Sequence, residues 1–133
     1  MKNAIIRFTL LTLIGLTLAA CMPRLIPPGA QFLGRRQVTF ATERDTLIFP
    51  EATRPIRKLV LVARLNDIEV YGIRVSFENG QDFEIDWKGK FIANRDSQAF
   101  DLPGGAHRLR RIEFRYRSLI KSARRAEVEF WGI

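Results

Sequence analysis

The chain has 133 residues and a formal net charge of +8, with one cysteine and one histidine. A single cysteine excludes an intrachain disulfide, and a single histidine excludes a zinc site built on several histidines. The length fits one domain with one core.

In chain order, the first feature is an export leader. Lys2 and Arg7 give a short basic start, and Phe8–Ala20 follows without a charge. As a helix that apolar run would reach only about 20 Å, short of the roughly 30 Å hydrocarbon core. A basic start, a short apolar run and small residues before a cut form a secretory signal, so residues 1–20 are read as a helical signal peptide. Leu18-Ala19-Ala20-Cys21 resembles the bacterial lipobox. The resemblance implies cleavage before Cys21 and a thioether-linked diacylglycerol on its sulfur. Ordinary cleavage after Ala20 is the alternative, and it would leave an unpaired thiol on an exported protein. Each buried CH₂ of an acyl chain contributes about 0.8 kcal/mol, so two or more chains hold the protein at a membrane. Met22 follows the cysteine. Its resemblance to the Gram-negative sorting pattern, which lacks Asp there, implies the periplasmic face of the outer membrane.

The mature part keeps 20 basic and 14 acidic residues once Lys2 and Arg7 leave, a net charge of +6. Arginines outnumber lysines 17 to 5, and the guanidinium fork suits phosphates and carboxylates. An exported chain does not meet nucleic acid, so the expected partners are anionic lipid, lipopolysaccharide, a cell-wall polymer or another envelope protein.

Residues 21–34 carry Pro23, Pro27, Pro28, Gly29 and Gly34 and read as a tether from the lipidated Cys21. A first strand at Gln31-Phe32-Leu33 is the other reading. From residue 35 to 133 the pattern is β. Arg36–Phe40 alternates, Thr46–Phe49 is apolar up to Pro50, and Leu59–Ala63 is apolar at both parities, as in a strand covered on both faces. Ile68 and Val70 share one parity, and Ile73, Val75 and Phe77 the other. The change at Tyr71-Gly72 predicts a bulge. Next comes a hairpin around Asn79-Gly80. A two-residue loop would set Phe77 opposite Asp82. A three-residue loop sets Val75 opposite Phe83 and Ile73 opposite Ile85, so the pattern selects the longer loop with Gly80 left-handed. Trp87–Lys90 reads as a turn and Ser97–Leu102 as a strand ended by Pro103-Gly104-Gly105. Ile112–Arg117 and Ala126–Phe130 alternate, and Leu119–Arg125 is a loop or short helical turn. Seven or eight short strands at this spacing predict an all-β fold, an antiparallel β-sandwich.

Three segments carry a family resemblance. They are Leu33-Gly34 with Val38-Thr39-Phe40 and Arg44-Asp45-Thr46, then Asp101–Gly105 with Arg111–Ser118, and finally Ala126–Gly132. Together they resemble a set of small secreted bacterial proteins with a β-sandwich-like domain and no assigned function. His107 departs from that pattern, where a basic residue such as arginine is usual. The resemblance supplies no catalytic residue and no cofactor.

The densest charge lies at residues 108–125, where Arg108, Arg110, Arg111, Arg115, Arg117, Lys121, Arg124 and Arg125 face only Glu113. The arginines are the candidate anion-binding residues. The alternative is that they are solvated, or paired across strands with Asp82, Glu84 and Asp86, which line one face of their strand. Those three acids would serve calcium only with carbonyls added from a tight turn, and glycoside hydrolysis only if they faced each other across a cleft. His107 reads as a surface-loop histidine, since a Ser-His-Asp triad lacks its nucleophile motif. Trp87, Phe91, Phe100 and Trp131 are either core or a sugar-stacking platform. The expectation is a non-catalytic, lipid-anchored binding module without metal or cofactor. A glycan-binding module is the alternative, and a carboxylate hydrolase stands behind both.

Overall fold

A computed structural model describes residues 25–38, 43–119 and 125–133. The signal peptide, Cys21, Thr39–Phe40 and Arg124 lie outside the described residues. The described chain forms nine strands: β1 (Gln31–Val38), β2 (Glu43–Ile48), β3 (Lys58–Arg64), β4 (Ile68–Phe77), β5 (Asp82–Ile85), β6 (Gly89–Phe91), β7 (Ser97–Asp101), β8 (Leu109–Ser118) and β9 (Ala126–Gly132). All neighbours are antiparallel. One sheet runs β1-β9-β3-β7, and the other runs β2-β8-β4-β5 with β6 also on β4. The predicted β-sandwich is the observed architecture.

Alternation decides what each sheet buries. Leu59, Leu61, Val128 and Phe130 of the first sheet meet Val70, Ile73, Ile112 and Phe114 of the second in one core, all at most 1% exposed. At its centre Phe114 lies 4.7 Å from Phe130 and 4.8 Å from Tyr116 between ring centroids. Val60 and Val62 are buried too, although they point away from this core. Their cross-strand neighbours are Trp131 and Glu129. The Trp131 indole N–H donates to Glu129 at 3.1 Å, and Arg64 pairs with the same carboxylate at 3.3 Å. Long side chains of the sheet itself therefore flank the second face of β3.

The β4–β5 hairpin has the predicted register, with Ile73 opposite Ile85 and Val75 opposite Phe83. Gly80 takes φ +86°, the left-handed conformation its place in the turn requires. The predicted bulge also occurs, as a register shift between Val70 and Gly72 against β8. Two readings change. The strand alternative at Gln31–Leu33 is the one adopted, so the sheet begins inside the stretch assigned to the tether. Gly89 and Lys90, read as turn, belong to β6, which pairs with Ile68–Val70 of β4. A three-residue strand of Gly, Lys and Phe has no alternation to detect, and its partner defines it.

The link from β2 to β3 runs beside the start of β8. Thr53, 6% exposed, accepts the Leu109 N–H on its hydroxyl at 2.9 Å and donates to the Arg54 carbonyl at 2.9 Å. A buried strand end is satisfied in this way.

Candidate anion-binding site

Strand β8 sends Ile112, Phe114 and Tyr116 inward and Arg111, Glu113, Arg115 and Arg117 outward. The outward partners are fixed by register. On one side, β2 places Arg44 opposite Arg115 and Thr46 opposite Glu113. On the other, β4 places Gly72 opposite Arg115, Arg74 opposite Glu113 and Glu69 opposite Arg117.

Most of the candidate arginines are engaged. Arg117 reaches Glu69 Oε2 with Nη2 at 2.9 Å and Nε at 3.1 Å. Arg111 lies 3.4 Å from Glu113. Arg108 and Arg110 flank Glu78 at 3.8 and 3.9 Å, and donate to the carbonyls of Thr53 and Pro50. They tie the β2–β3 link to the end of the sandwich. Arg125 donates to Gln37 at 2.7 Å, near the other sheet. The basic stretch is therefore divided over several places. The alternative, pairing with the acidic strand, does not occur among the described residues either, because β4 lies between β8 and β5. Glu84 meets Arg74 instead, at 3.9 Å.

Arg115 differs from the rest. Among the described residues neither it nor Arg44 has an ion pair or a side-chain hydrogen bond. Like charges directly opposite on neighbouring strands are destabilising. Here two stand opposite, and no carboxylate among the described residues pairs directly with either. Both line a concavity of about 190 Å³ with Gly72, Arg74, Glu84 and Glu113. Gly72 lies against the Arg115 guanidinium, where a β-carbon would make an ordinary contact, 3.5 Å from Nη2 and 3.7 Å from Nε. The neighbouring Tyr71 carries the Arg117 guanidinium 5.4 Å from its ring centroid and donates to Glu69 at 3.3 Å. Burial first, then Glu69, push its phenol above the ordinary value, while Arg117 pulls the other way. It stays a protonated donor at neutral pH.

Arg44 was not among the candidates from sequence. Its role depends on β2 lying beside β8, a pairing across about seventy residues that no local pattern encodes.

The remaining candidates separate. Asp82, Glu84 and Asp86 are exposed as read, and among the described residues no group of three potential ligands stands close enough for a metal ion. His107 is half-buried and not a free surface residue. It bridges Ile56, stacks on Phe77 with centroids 4.3 Å apart, and lies 2.6 Å from the Pro103 carbonyl through Nε2. A carbonyl only accepts, so Nε2 carries the proton. Trp87 packs on Phe91 and Phe100 at 5.1 and 5.3 Å. Trp131 lies apart from them on β9, edge-on to Phe32 at 5.0 Å. The four aromatics form no single platform.

A family model described as a domain of unknown function, DUF2541, matches residues 8–132. The chain belongs to the DUF2541 family. That membership agrees with the resemblance to small bacterial proteins of unassigned function. A search of curated proteins finds no match. Among solved structures, the DUF2541 chain is similar to Pseudomonas aeruginosa AlgX at 9% identity with a TM-score of 0.44. The similarity covers 80% of this chain and 27% of AlgX, so the DUF2541 chain spans about a quarter of that protein's length.

Proposed function

We propose that this protein is a non-catalytic β-sandwich, anchored to the bacterial envelope through a lipid on Cys21, that binds an anionic group between Arg44 and Arg115. The observation that carries the binding site is the cross-strand arginine pair at the rim of a concavity, neither member of which makes an ion pair among the described residues. An anion bridging two guanidinium groups relieves their mutual repulsion and accepts several charge-assisted hydrogen bonds. The arginines at residues 108, 110, 111 and 117 already have acidic partners, so they hold the frame and leave the central pair to the ligand. Envelope anions are the expected ligands because the leader sends the chain out of reach of nucleic acid.

The anchor is tested by mass spectrometry of the protein from its native host. The expected mature N-terminus is a diacylglyceryl-modified Cys21, and a bare thiol there refutes it. The site is tested with phosphatidylglycerol vesicles and with lipopolysaccharide. Arg44→Glu with Arg115→Glu is expected to weaken binding by roughly tenfold or more. Arg57→Glu with Arg95→Glu changes net charge equally at exposed positions outside the concavity, and is expected to leave binding within about twofold. Equal losses in the two variants would mean that bulk charge, and no site, does the binding.

A further inference from the structure

The concavity continues past Gly72. A second hollow of about 250 Å³ shares Gly72, Glu84 and Arg115 with the first and extends to Tyr71, Asp86 and Trp87. The strand order explains it. Both β5 and β6 pair with β4, one on each side of its bulge. The link Asp86-Trp87-Lys88 must therefore pass the bulge at Tyr71-Gly72, and it walls the groove.

Three chemistries follow one another along this groove. Arg44 and Arg115 offer charged donors without partners among the described residues. Glu84 and Asp86 offer exposed carboxylate oxygens, and among the described residues Glu84 has one long ion pair, to Arg74 at 3.9 Å. Trp87 offers part of an indole face. Its position is fixed in advance by Phe91, Phe100 and the bare backbone of Gly89, where a β-carbon would fall 2.5 Å from the indole ring. A polyanion would be served by Arg44, Arg74, Arg115 and Lys88, but repelled by Glu84, Asp86 and Glu113, which alternate with them along the groove. A neutral sugar would use the carboxylates and the indole and leave the arginines repelling each other. A ligand with both an anionic group and hydroxyls uses all of them.

We propose that the groove binds an acidic saccharide. Its carboxylate or phosphate lies between Arg44 and Arg115, its hydroxyls donate to Glu84 and Asp86, and a sugar ring rests against Trp87. This inference rests on the anion-binding reading above and adds the class of ligand.

The test is a fluorescence titration of the full chain carrying Trp131→Phe. The chain has two tryptophans, so Trp87 is then the sole indole reporter. Tetragalacturonate, glucose 6-phosphate, the neutral cellotetraose and sugar-free tripolyphosphate are the probes. Tetragalacturonate or glucose 6-phosphate is expected to bind at least about tenfold more tightly than cellotetraose, with the better of the two separating carboxylated from phosphorylated sugars. Arg115→Glu abolishes that binding. Glu84→Gln, an exposed change, weakens the saccharide roughly fivefold and leaves tripolyphosphate unchanged or tighter. If tripolyphosphate binds as well as the acidic sugars and Glu84→Gln tightens both, the saccharide inference falls and the anion site stands. If no anionic probe binds, or cellotetraose binds equally well, both readings fall.

Discussion

Phe114→Ala is expected to lower the unfolding free energy by about 3–5 kcal/mol in urea titration. The ring is 1% exposed and touches aromatic partners from both sheets, Tyr116 on its own strand and Phe130 on β9. Truncation removes its transfer free energy and leaves a void that surrounding strands cannot close without shifting register. Phe32→Ala is the matched control. Phe32 is also an aromatic in a strand with an edge-on partner, but it is 44% exposed, so its loss is expected to cost about 1 kcal/mol. Comparable losses at the two positions would mean that the core between the sheets does not hold the fold.

Gly132→Val is expected to be the most damaging small change in the first sheet, at about 3 kcal/mol. Gly132 lies between β1 and β3, opposite both Gln31 and Leu59. A β-carbon there would stand 2.7 Å from Ile56 Cγ2 and 3.0 Å from its Cδ1. Ile56 has little room to yield, being 2% exposed and bonded through its backbone to His107 in both directions. Combining Gly132→Val with Ile56→Ala tests the cause. The double variant is expected to be more stable than the sum of the two single losses by about 1 kcal/mol or more. Strict additivity would place the damage in the strand backbone and not in this contact.

The legible parts of the fold were those fixed by neighbours in sequence. The β4–β5 register followed from parity on either side of Gly80, since the wrong loop length would have put Phe77 opposite a carboxylate. The bulge at Tyr71-Gly72 showed as a parity change within one strand. By contrast, Arg115 was legible only as one of seven similar arginines. What separates it is its neighbour Arg44 and the glycine on its other side, and both come from strands distant in the chain. The partners of Arg108, Arg110 and Arg117 were missed for the same reason. Glu78 and Glu69 lie on or next to β4, while the obvious acidic series lies one strand further out. Trp87 and Trp131 looked alike as composition, and the fold places the first in the β5–β6 link and the second on β9.

The position of β9 sets a timetable for assembly. It is the last of the nine strands to emerge, yet it fills the gap between β1 and β3, and Val38 finds Ala126 only across most of the chain. Until that segment is delivered, the strands on both sides of the vacancy have open edges. Such edges recruit the wrong partner readily, and closing so wide a loop is slow. The first sheet therefore closes last: no shorter length of chain can seal it, and any change that unseats Ala126–Gly132 bares two edges at once.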